Sequence, residues 1–293
     1  MPQITDADIH YAENVLFGRT NVFDEERIRF IREPQTCDLQ AVPGSGKTTA
    51  LLAKLLILER YLPFEDGRGL LVISHTNAAV DEIKEKIGEY CPKLFSEPNF
   101  IGTIQSFVDN FLAIPYYVNK FRRKPFRIDD EIYKEKTALF SRNFFPGFSP
   151  QEQNNAKNYL RASENAHKIR FSIIDGRVGV SKEDQGLKLN ISKPRGRTIP
   201  ANYVDWSDEE KDRVYQWVLA FKKNMLNFGY LCYDDAYFLS KAYLSKFPKV
   251  INILQKRFAI VFVDEINGAV IKFFNVHFVG RICPIAPTPL LTD

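Results

Sequence analysis

The feature that most constrains the fold is a short glycine-containing loop that joins an apolar run to a helical pattern. Residues 39–42 are predicted to form a strand, and residues 48–62 place leucines at the spacing of a core-facing helix. A loop of this composition between a strand and a helix is typical of the phosphate-binding Walker A motif. Its candidate nucleotide-binding residues are Ala41, Gly44, Ser45, Gly46, Lys47, Thr48 and Thr49.

The residue types in this loop match the chemistry of phosphate binding. Gly44 and Gly46 let the backbone curl, so that several N–H groups and the start of the helix face an anion. Lys47 would bring a positive charge to the outer phosphates, and the Thr48 hydroxyl would ligate Mg²⁺. Ala41 stands where the general motif has its first glycine. The alternative interpretation is a glycine and serine turn that precedes a helix by chance.

Two adjacent carboxylates follow another apolar strand, which is predicted at residues 259–263. Next to a phosphate loop, Asp264 would hold Mg²⁺ through water, whereas Glu265 would orient and deprotonate the attacking water. The alternative is a strand-end turn that exposes two carboxylates to solvent. The two motifs together predict ATP and Mg²⁺ as cofactors, with Lys47, Asp264 and Glu265 as the candidate catalytic residues.

Alternating strand and helix patterns predict an α/β fold with a parallel sheet. Residues 70–73 and 100–103 are predicted strands, and helices are predicted at residues 78–87 and from residue 105 onward. The α/β pattern resumes near residue 234 and ends with the strand that precedes Asp264.

Residues 115–227 lack this alternation and are interpreted as an inserted subdomain. Within them, the pair Asp175–Gly176 favours a tight hairpin turn between strands at residues 169–174 and 177–180. Residues 207–210 form a capping-box pattern, which should begin a helix that continues through Trp217.

Further short segments carry a resemblance to a known family. Residues 74–79 read SHTNAA, residues 102–107 read GTIQSF, and residues 233–235 read YDD before a helix. With the phosphate loop and the acidic pair, these segments make residues 24–265 resemble the UvrD-like DNA helicases. The resemblance implies a RecA-like P-loop NTPase lobe with a parallel sheet, interrupted by an inserted, mostly helical accessory subdomain.

The resemblance also implies domain bounds and DNA contacts. It divides the chain into residues 1–114 (first part of the ATP-binding lobe), 115–227 (accessory subdomain), 228–265 (completion of the lobe) and 266–293 (an atypical tail). Short polar side chains at two strand-to-helix junctions would contact single-stranded DNA. They are Thr76, Asn77, Thr103, Gln105 and Ser106. The alternative is that the Ser, Thr and Asn residues among them only cap helices.

The chain departs from the family pattern at several positions. Arg27 stands where an adenine-reading glutamine is expected, Gln105 replaces a histidine, and Asn267 with Gly268 replaces a Gln-Asp pair. Residues 266–293 show no later helicase motif, and we interpret them as a truncated or frame-shifted end of a longer reading frame. Without a second motor lobe, weak or undetectable hydrolysis and no unwinding by this chain alone are expected.

A basic, aromatic-rich segment is a second candidate for nucleic-acid contact. Phe121 and Phe126 alternate there with basic side chains, which could follow a phosphate backbone or form an ordinary solvated surface. The basic residues are Lys120, Arg122, Arg123, Lys124 and Arg127.

Composition adds little to the choice of function. Forty basic and thirty-six acidic residues give a net charge of +4, which is compatible with a polyanionic partner and also with none. Apolar runs are too short for a membrane span and the N-terminus lacks a secretory signal, so a cytoplasmic location and no membrane partner are expected. The four cysteines are scattered, which favours buried thiols over a zinc site.

Two functional hypotheses from different classes stay open at this point. The first is an ATP-dependent helicase lobe that binds Mg-ATP and single-stranded DNA. The second is a non-catalytic nucleotide-sensing, DNA-binding component that works with a nuclease or another repair or antiphage-defence protein. A P-loop kinase is disfavoured, because the acidic pair lies late in the chain and two segments resemble DNA-contact motifs.

Overall fold

The computed structural model describes residues 3–34, 47–162, 166–182, 187–194, 203–264 and 282–285, with only the backbone given for Lys47, Asp264 and residues 282–285. Contacts group the chain into two compact units, Met1–Phe107 with Phe247–Asp293, and Val108–Lys246. In chain order, the elements are α1 (Asp6–Phe17), α2 (Glu25–Arg32), α3 (Lys47–Glu59), β1 (Gly69–Ser74), α4 (Asn77–Ile87), β2 (Phe100–Thr103), α5 (Ile104–Val108), α6 (Ile114–Phe121), β3 (Arg127–Ile128), α7 (Asp130–Phe140), α8 (Pro150–Ala162), β4 (Ile169–Ile174), β5 (Arg177–Lys182), α9 (Asp208–Phe228), β6 (Tyr230–Leu231), α10 (Tyr233–Lys246), α11 (Lys249–Arg257), β7 (Phe258–Asp264) and β8 (Ile282–Ile285).

A parallel sheet lies at the centre of the first unit. Its strands are ordered β2-β1-β7-β8, and each neighbouring pair is parallel. Every residue of β1 is buried, as expected for a strand that is covered on both faces. The strands predicted at residues 70–73, 100–103 and 259–263 are confirmed, whereas the strand predicted at 39–42 lies outside the described residues.

Helix α3 is buried along most of its length. Residues 50–58 are each at most 3% exposed, and the apolar residues among them join α1, α2, α4 and Phe262 of β7 in one apolar core. An apolar surface on all sides is typical of a helix enclosed within a protein. The predicted end at Leu62 was wrong, since α3 ends at Glu59. Leu62 precedes Pro63, and a residue before proline is disfavoured in the helical conformation.

A buried lysine ties α3 to the end of α2. Lys54 is 3% exposed, and its ammonium donates hydrogen bonds to the carbonyl oxygens of Phe30 at 2.9 Å and Glu33 at 2.8 Å. These carbonyls belong to the C-terminal turn of α2, where the helix dipole favours a cation. The ammonium also lies 4.7 Å from the centre of the Phe30 ring. Lys54 therefore fixes α2 against α3.

The second unit packs helices around a separate core that includes Trp217, Phe221 and Tyr133. The predicted hairpin is confirmed, because β4 and β5 pair antiparallel and both turn residues, Asp175 and Gly176, have positive φ angles of 49° and 74°. Such angles are what a type I′ turn requires.

Helix α9 begins as the capping-box pattern predicts. The Ser207 hydroxyl accepts from the backbone N–H of Glu210, and the Glu210 side chain accepts from the backbone N–H of Ser207. The helix extends beyond Trp217 to Phe228 and ends at Gly229, whose φ is 86°.

The contacts within the chain place the boundaries between the two units after Phe107 and after Lys246. The division into residues 1–114, 115–227, 228–265 and 266–293 stays a prediction.

Candidate nucleotide-binding site

The carboxyl ends of three parallel strands lie side by side in the first unit. Ser74 is paired in register with Thr103 of β2 on one side and with Asp264 of β7 on the other. In open parallel α/β sheets, ligands bind outside the carboxyl ends of the strands. The register thus brings the predicted metal-binding Asp264 to the same sheet edge as the Thr103 junction.

The N-terminus of α3 carries the other predicted site residues that the structure describes. The helix begins at Lys47, Thr48 and Thr49 in its first turn are half-buried, and Ala50 is buried. The free backbone N–H groups at a helix start attract anions. Ala41, Gly44, Ser45, Gly46 and Glu265 lie outside the described residues.

Ser74 is a polar residue at this edge that sequence reasoning did not select as a site residue. It is 1% exposed, and its hydroxyl has no hydrogen-bond partner among the residues that the structure describes. A buried polar atom without a partner costs about 1–3 kcal/mol. The available sequence signal was a small hydroxyl residue that ends an otherwise apolar strand.

The first predicted DNA segment contains the N-cap of α4, Thr76. The Thr76 hydroxyl accepts a hydrogen bond of 3.2 Å from the backbone N–H of Ala79, so Thr76 is a helix cap as the alternative interpretation required. Thr76 and Asn77 are both exposed. The Thr76 hydroxyl still has a proton to donate, and the Asn77 amide faces solvent at the first position of the helix.

The second predicted DNA segment forms a tight strand-to-helix junction. The Thr103 hydroxyl accepts from the backbone N–H of Ser106 at 3.1 Å, and the Ser106 hydroxyl donates to the Thr103 carbonyl oxygen at 2.7 Å. A Cβ atom at Gly102 would lie 2.5 Å from the Ser106 hydroxyl oxygen and 2.9 Å from the Phe100 ring. A larger residue there would displace the Ser106 hydroxyl and the Phe100 ring. Thr103, Gln105 and Ser106 are half-buried.

Phe107 belongs to the core of the first unit. Its ring is fully buried and lies 5.9 Å from the Phe100 ring and 6.5 Å from the Phe258 ring, measured between centres. These contacts join the helix that follows β2 to the strand that leads to Asp264. The junction that carries Thr103 is consequently supported by aromatic packing.

Arg27 makes a local ion pair with Asp24. Its guanidinium lies 2.6 Å from the Asp24 carboxylate, and the same carboxylate accepts from the Arg27 backbone N–H at 2.9 Å as the N-cap of α2. Arg27 occupies the position expected for an adenine-reading glutamine. Its side chain therefore pairs with the N-cap residue of its own helix.

No group of three or more His, Cys, Asp or Glu side chains suited to holding a metal is found among the described residues. Cys91 and Cys232 are buried and free, and burial raises the pKa of each thiol to about 12. Thiols with such pKa values are poor nucleophiles at neutral pH. Within the part of the chain that the structure describes, no helix combines the length and the apolarity needed to cross a bilayer.

The parallel sheet, with a helix starting at Lys47 and an acidic residue ending β7, defines an α/β nucleotide-binding lobe. The family model for the UvrD/REP helicase N-terminal domain matches residues 24–267. The chain therefore belongs to this helicase family and contains its RecA-like, ATP-binding lobe. No match was found among curated proteins.

Proposed function

We propose that this lobe binds Mg-ATP at the start of α3 and single-stranded DNA at the junctions that follow β1 and β2. The observation that carries the proposal is the register that aligns Asp264, Ser74 and Thr103 at one sheet edge, in a chain of the UvrD/REP family. ATP-dependent DNA translocation or unwinding is the activity to which such a lobe would contribute.

The residue types proposed for this site fit a magnesium nucleotide. Mg²⁺ prefers oxygen ligands and is commonly held by one or two protein side chains together with phosphate oxygens and water. The Thr48 hydroxyl and the Asp264 carboxylate would supply that chemistry, and the Ser74 hydroxyl, which has no partner among the described residues, adds a polar group beside Asp264. Bound Mg²⁺ would neutralise phosphate charge.

The remaining roles fall to residues of this chain. Lys47 would hold the outer phosphates by its ammonium group, and the backbone N–H groups of the loop from Ala41 to Gly46 would face the phosphate oxygens. Glu265 would orient a water molecule and accept its proton. Each role follows from residue type and from position in the motif.

We predict that Lys47→Ala weakens binding of a fluorescent ATP analogue, measured with Mg²⁺ by fluorescence anisotropy. Loss of a hydrogen bond to a charged group corresponds to about 10- to 100-fold in affinity. Lys84→Ala is the matched control, because Lys84 is an exposed lysine on α4 of the same unit. Equal affinities of the Lys47 and Lys84 variants would refute the proposed phosphate site.

The rate of ATP hydrolysis is the second measurement on the proposed nucleotide site. ATP hydrolysis that rises with single-stranded DNA and disappears in Lys47→Ala and Glu265→Gln would establish a working ATPase. Binding without turnover would favour a nucleotide-sensing component. Binding is measured first, because an arginine supplied from outside the nucleotide loop can change turnover by several powers of ten.

Substitutions at the start of α4 separate DNA contact from helix capping. Thr76→Ala should lower the free energy of unfolding by about 0.5–2 kcal/mol, since it removes the N-cap. Asn77→Ala should leave stability unchanged and weaken binding of a labelled oligothymidine by about 2- to 10-fold, through the loss of one hydrogen bond. Thr76→Ser keeps the hydroxyl and is the control. Unchanged oligonucleotide affinity in Asn77→Ala would remove Asn77 from the proposed contacts.

A further inference from the structure

Four aromatic rings form a continuous row in the second unit, which we call the aromatic ridge. Phe126 lies 5.0 Å from Tyr230, Tyr230 lies 5.6 Å from Phe140, and Phe140 lies 5.2 Å from Phe228, measured between ring centres. The two ends of the row are open to solvent, since Phe126 is 67% exposed and Phe228 is 54% exposed. Large apolar side chains clustered on a surface mark an interaction site more often than isolated ones do.

The ridge is held in place by backbone contacts. Strands β3 and β6 pair in parallel, with Arg127 opposite Tyr230, and the Arg127 N–H donates to the Gly229 carbonyl at 3.0 Å. A Cβ atom at Gly229 would lie 2.5 Å from the Phe126 nitrogen, so the two chain segments cross closely there. Phe126 and Phe228 are thus set on a fixed backbone at the two ends of the row.

Positive charge borders the ridge. Residues 119–128 contain five basic and no acidic side chains, and Arg122, Arg123, Lys124 and Arg127 are exposed. The Lys136 ammonium lies 5.9 Å from the centre of the Tyr230 ring and 3.4 Å from Glu135. Arg123 also donates to the Asn227 carbonyl, next to Phe228. We call residues 119–128 the basic segment.

We propose that the aromatic ridge and the basic segment bind single-stranded nucleic acid. Bases would stack on the exposed rings of Phe126 and Phe228, and the phosphates would meet Lys124 and Arg127. Aromatic faces with neighbouring cations are the combination that binds single strands without reading sequence. Charge favours a polyanion over an apolar protein surface. This site uses none of the residues at the nucleotide edge of the first unit, so it is independent of the function proposed above.

Matched phenylalanine substitutions test the ridge in the full chain. Phe126→Ala should weaken binding of a labelled oligothymidine of about 16 nucleotides by roughly 5- to 100-fold, the usual loss for one stacked base. The control is Phe144→Ala, because Phe144 is also 67% exposed in the same unit but is not part of the ridge. Equal affinities of the two variants would overturn the proposal.

Salt dependence tests the basic segment. For a single strand, the slope of log affinity against log salt changes by about 0.7 for each phosphate contact. Lys124→Gln combined with Arg127→Gln should therefore make the slope less steep by about 1.4, whereas Lys241→Gln, at an exposed lysine of α10, should not change it. A slope equal to that of the unmodified chain would count against phosphate contacts at the segment.

Photochemical cross-linking separates this site from the one in the first unit. An oligothymidine carrying 5-iodouracil should attach to peptides that contain Phe126 or Phe228, as read by mass spectrometry. Adducts confined to residues 74–79 and 102–107 would overturn the ridge site and leave the proposed function standing. A chain that binds nucleotide but no oligonucleotide would overturn the ridge site without affecting the nucleotide site.

Discussion

Asp235→Ala is expected to lower the free energy of unfolding of the second unit by about 3–5 kcal/mol, the usual cost of breaking a buried ion pair. Asp235 is 1% exposed and lies 2.8 Å from the ammonium of Lys222, which is fully buried. The ammonium also donates to the Tyr133 hydroxyl at 2.6 Å. Without the carboxylate, Lys222 would remain as an uncompensated charge in the core.

The electrostatics of the pair support this expectation. Burial on its own lowers the pKa of Lys222, but the Asp235 carboxylate, Tyr133 and Cys232 together outweigh burial, and the pKa is raised above its ordinary value. A raised lysine pKa means that the stabilisation is lost only at strongly alkaline pH, so it is complete at neutral pH. The second carboxylate oxygen of Asp235 has no hydrogen-bond partner among the described residues. The negative charge of Asp235 is therefore compensated mainly by Lys222.

Urea unfolding followed by circular dichroism measures the effect. Lys222→Met combined with Asp235→Asn should be less destabilising than Asp235→Ala alone, because no charge is then left unpaired. The control is Asp212→Asn on the same helix, α9. Asp212 makes an exposed pair with Lys188 at 3.9 Å, and its loss should cost less than about 0.5 kcal/mol. A cost below about 1 kcal/mol for Asp235→Ala would show that the pair is not stabilising.

Glu13→Gln is expected to destabilise the first unit by about 2–3 kcal/mol at neutral pH, because a buried charged acceptor is replaced by a neutral one. Glu13 is 1% exposed, and its carboxylate accepts from the backbone N–H groups of Asn21, Val22 and Phe23 at 2.7, 2.7 and 2.8 Å. These residues lead directly to Asp24, the N-cap of α2. Glu13 therefore positions the segment at which the family match begins.

The same carboxylate should make stability depend on pH. Burial raises the pKa of Glu13, but the three backbone hydrogen bonds outweigh burial and hold it below the ordinary value of 4.5. A depressed carboxylate pKa gives stability that is complete above the unfolded-state pKa and is lost as the pH falls through the folded-state pKa. The unmodified chain should therefore lose more stability on acidification than Glu13→Gln loses.

Denaturant titrations at neutral pH and below pH 4.5 test both expectations. Glu26→Gln is the control, since Glu26 is an exposed carboxylate in the first turn of α2 and should change stability by less than about 1 kcal/mol. If Glu13→Gln and the unmodified chain lost stability in parallel on acidification, the hydrogen-bonded carboxylate would not be responsible.

Much of the sheet edge could be predicted from the sequence. The strand at residues 100–103 was confirmed at both ends, and β1 and β7 extend the predicted strands by one residue on each side. Predictions for the phosphate loop and Glu265 concern residues that the structure does not describe, and they stay predictions. Ser74 was not selected, because only strand register shows that it is buried next to Asp264.

The sequence by itself determined the features that depend on neighbouring residues: the Asp175–Gly176 turn, the Ser207 capping box and the helix pattern after the phosphate loop. Their physical causes act over a few positions, through allowed φ angles, local hydrogen bonds and apolar spacing. Only the tertiary structure decided which polar groups are buried with a partner. The Lys222 ammonium donates to the Tyr133 hydroxyl, which is 89 residues away in the sequence. The Tyr117 hydroxyl donates to the Leu226 carbonyl, which is 109 residues away. No local sequence pattern encodes such pairs, because a polar side chain becomes buried and gains its partner only when distant segments of the chain pack together.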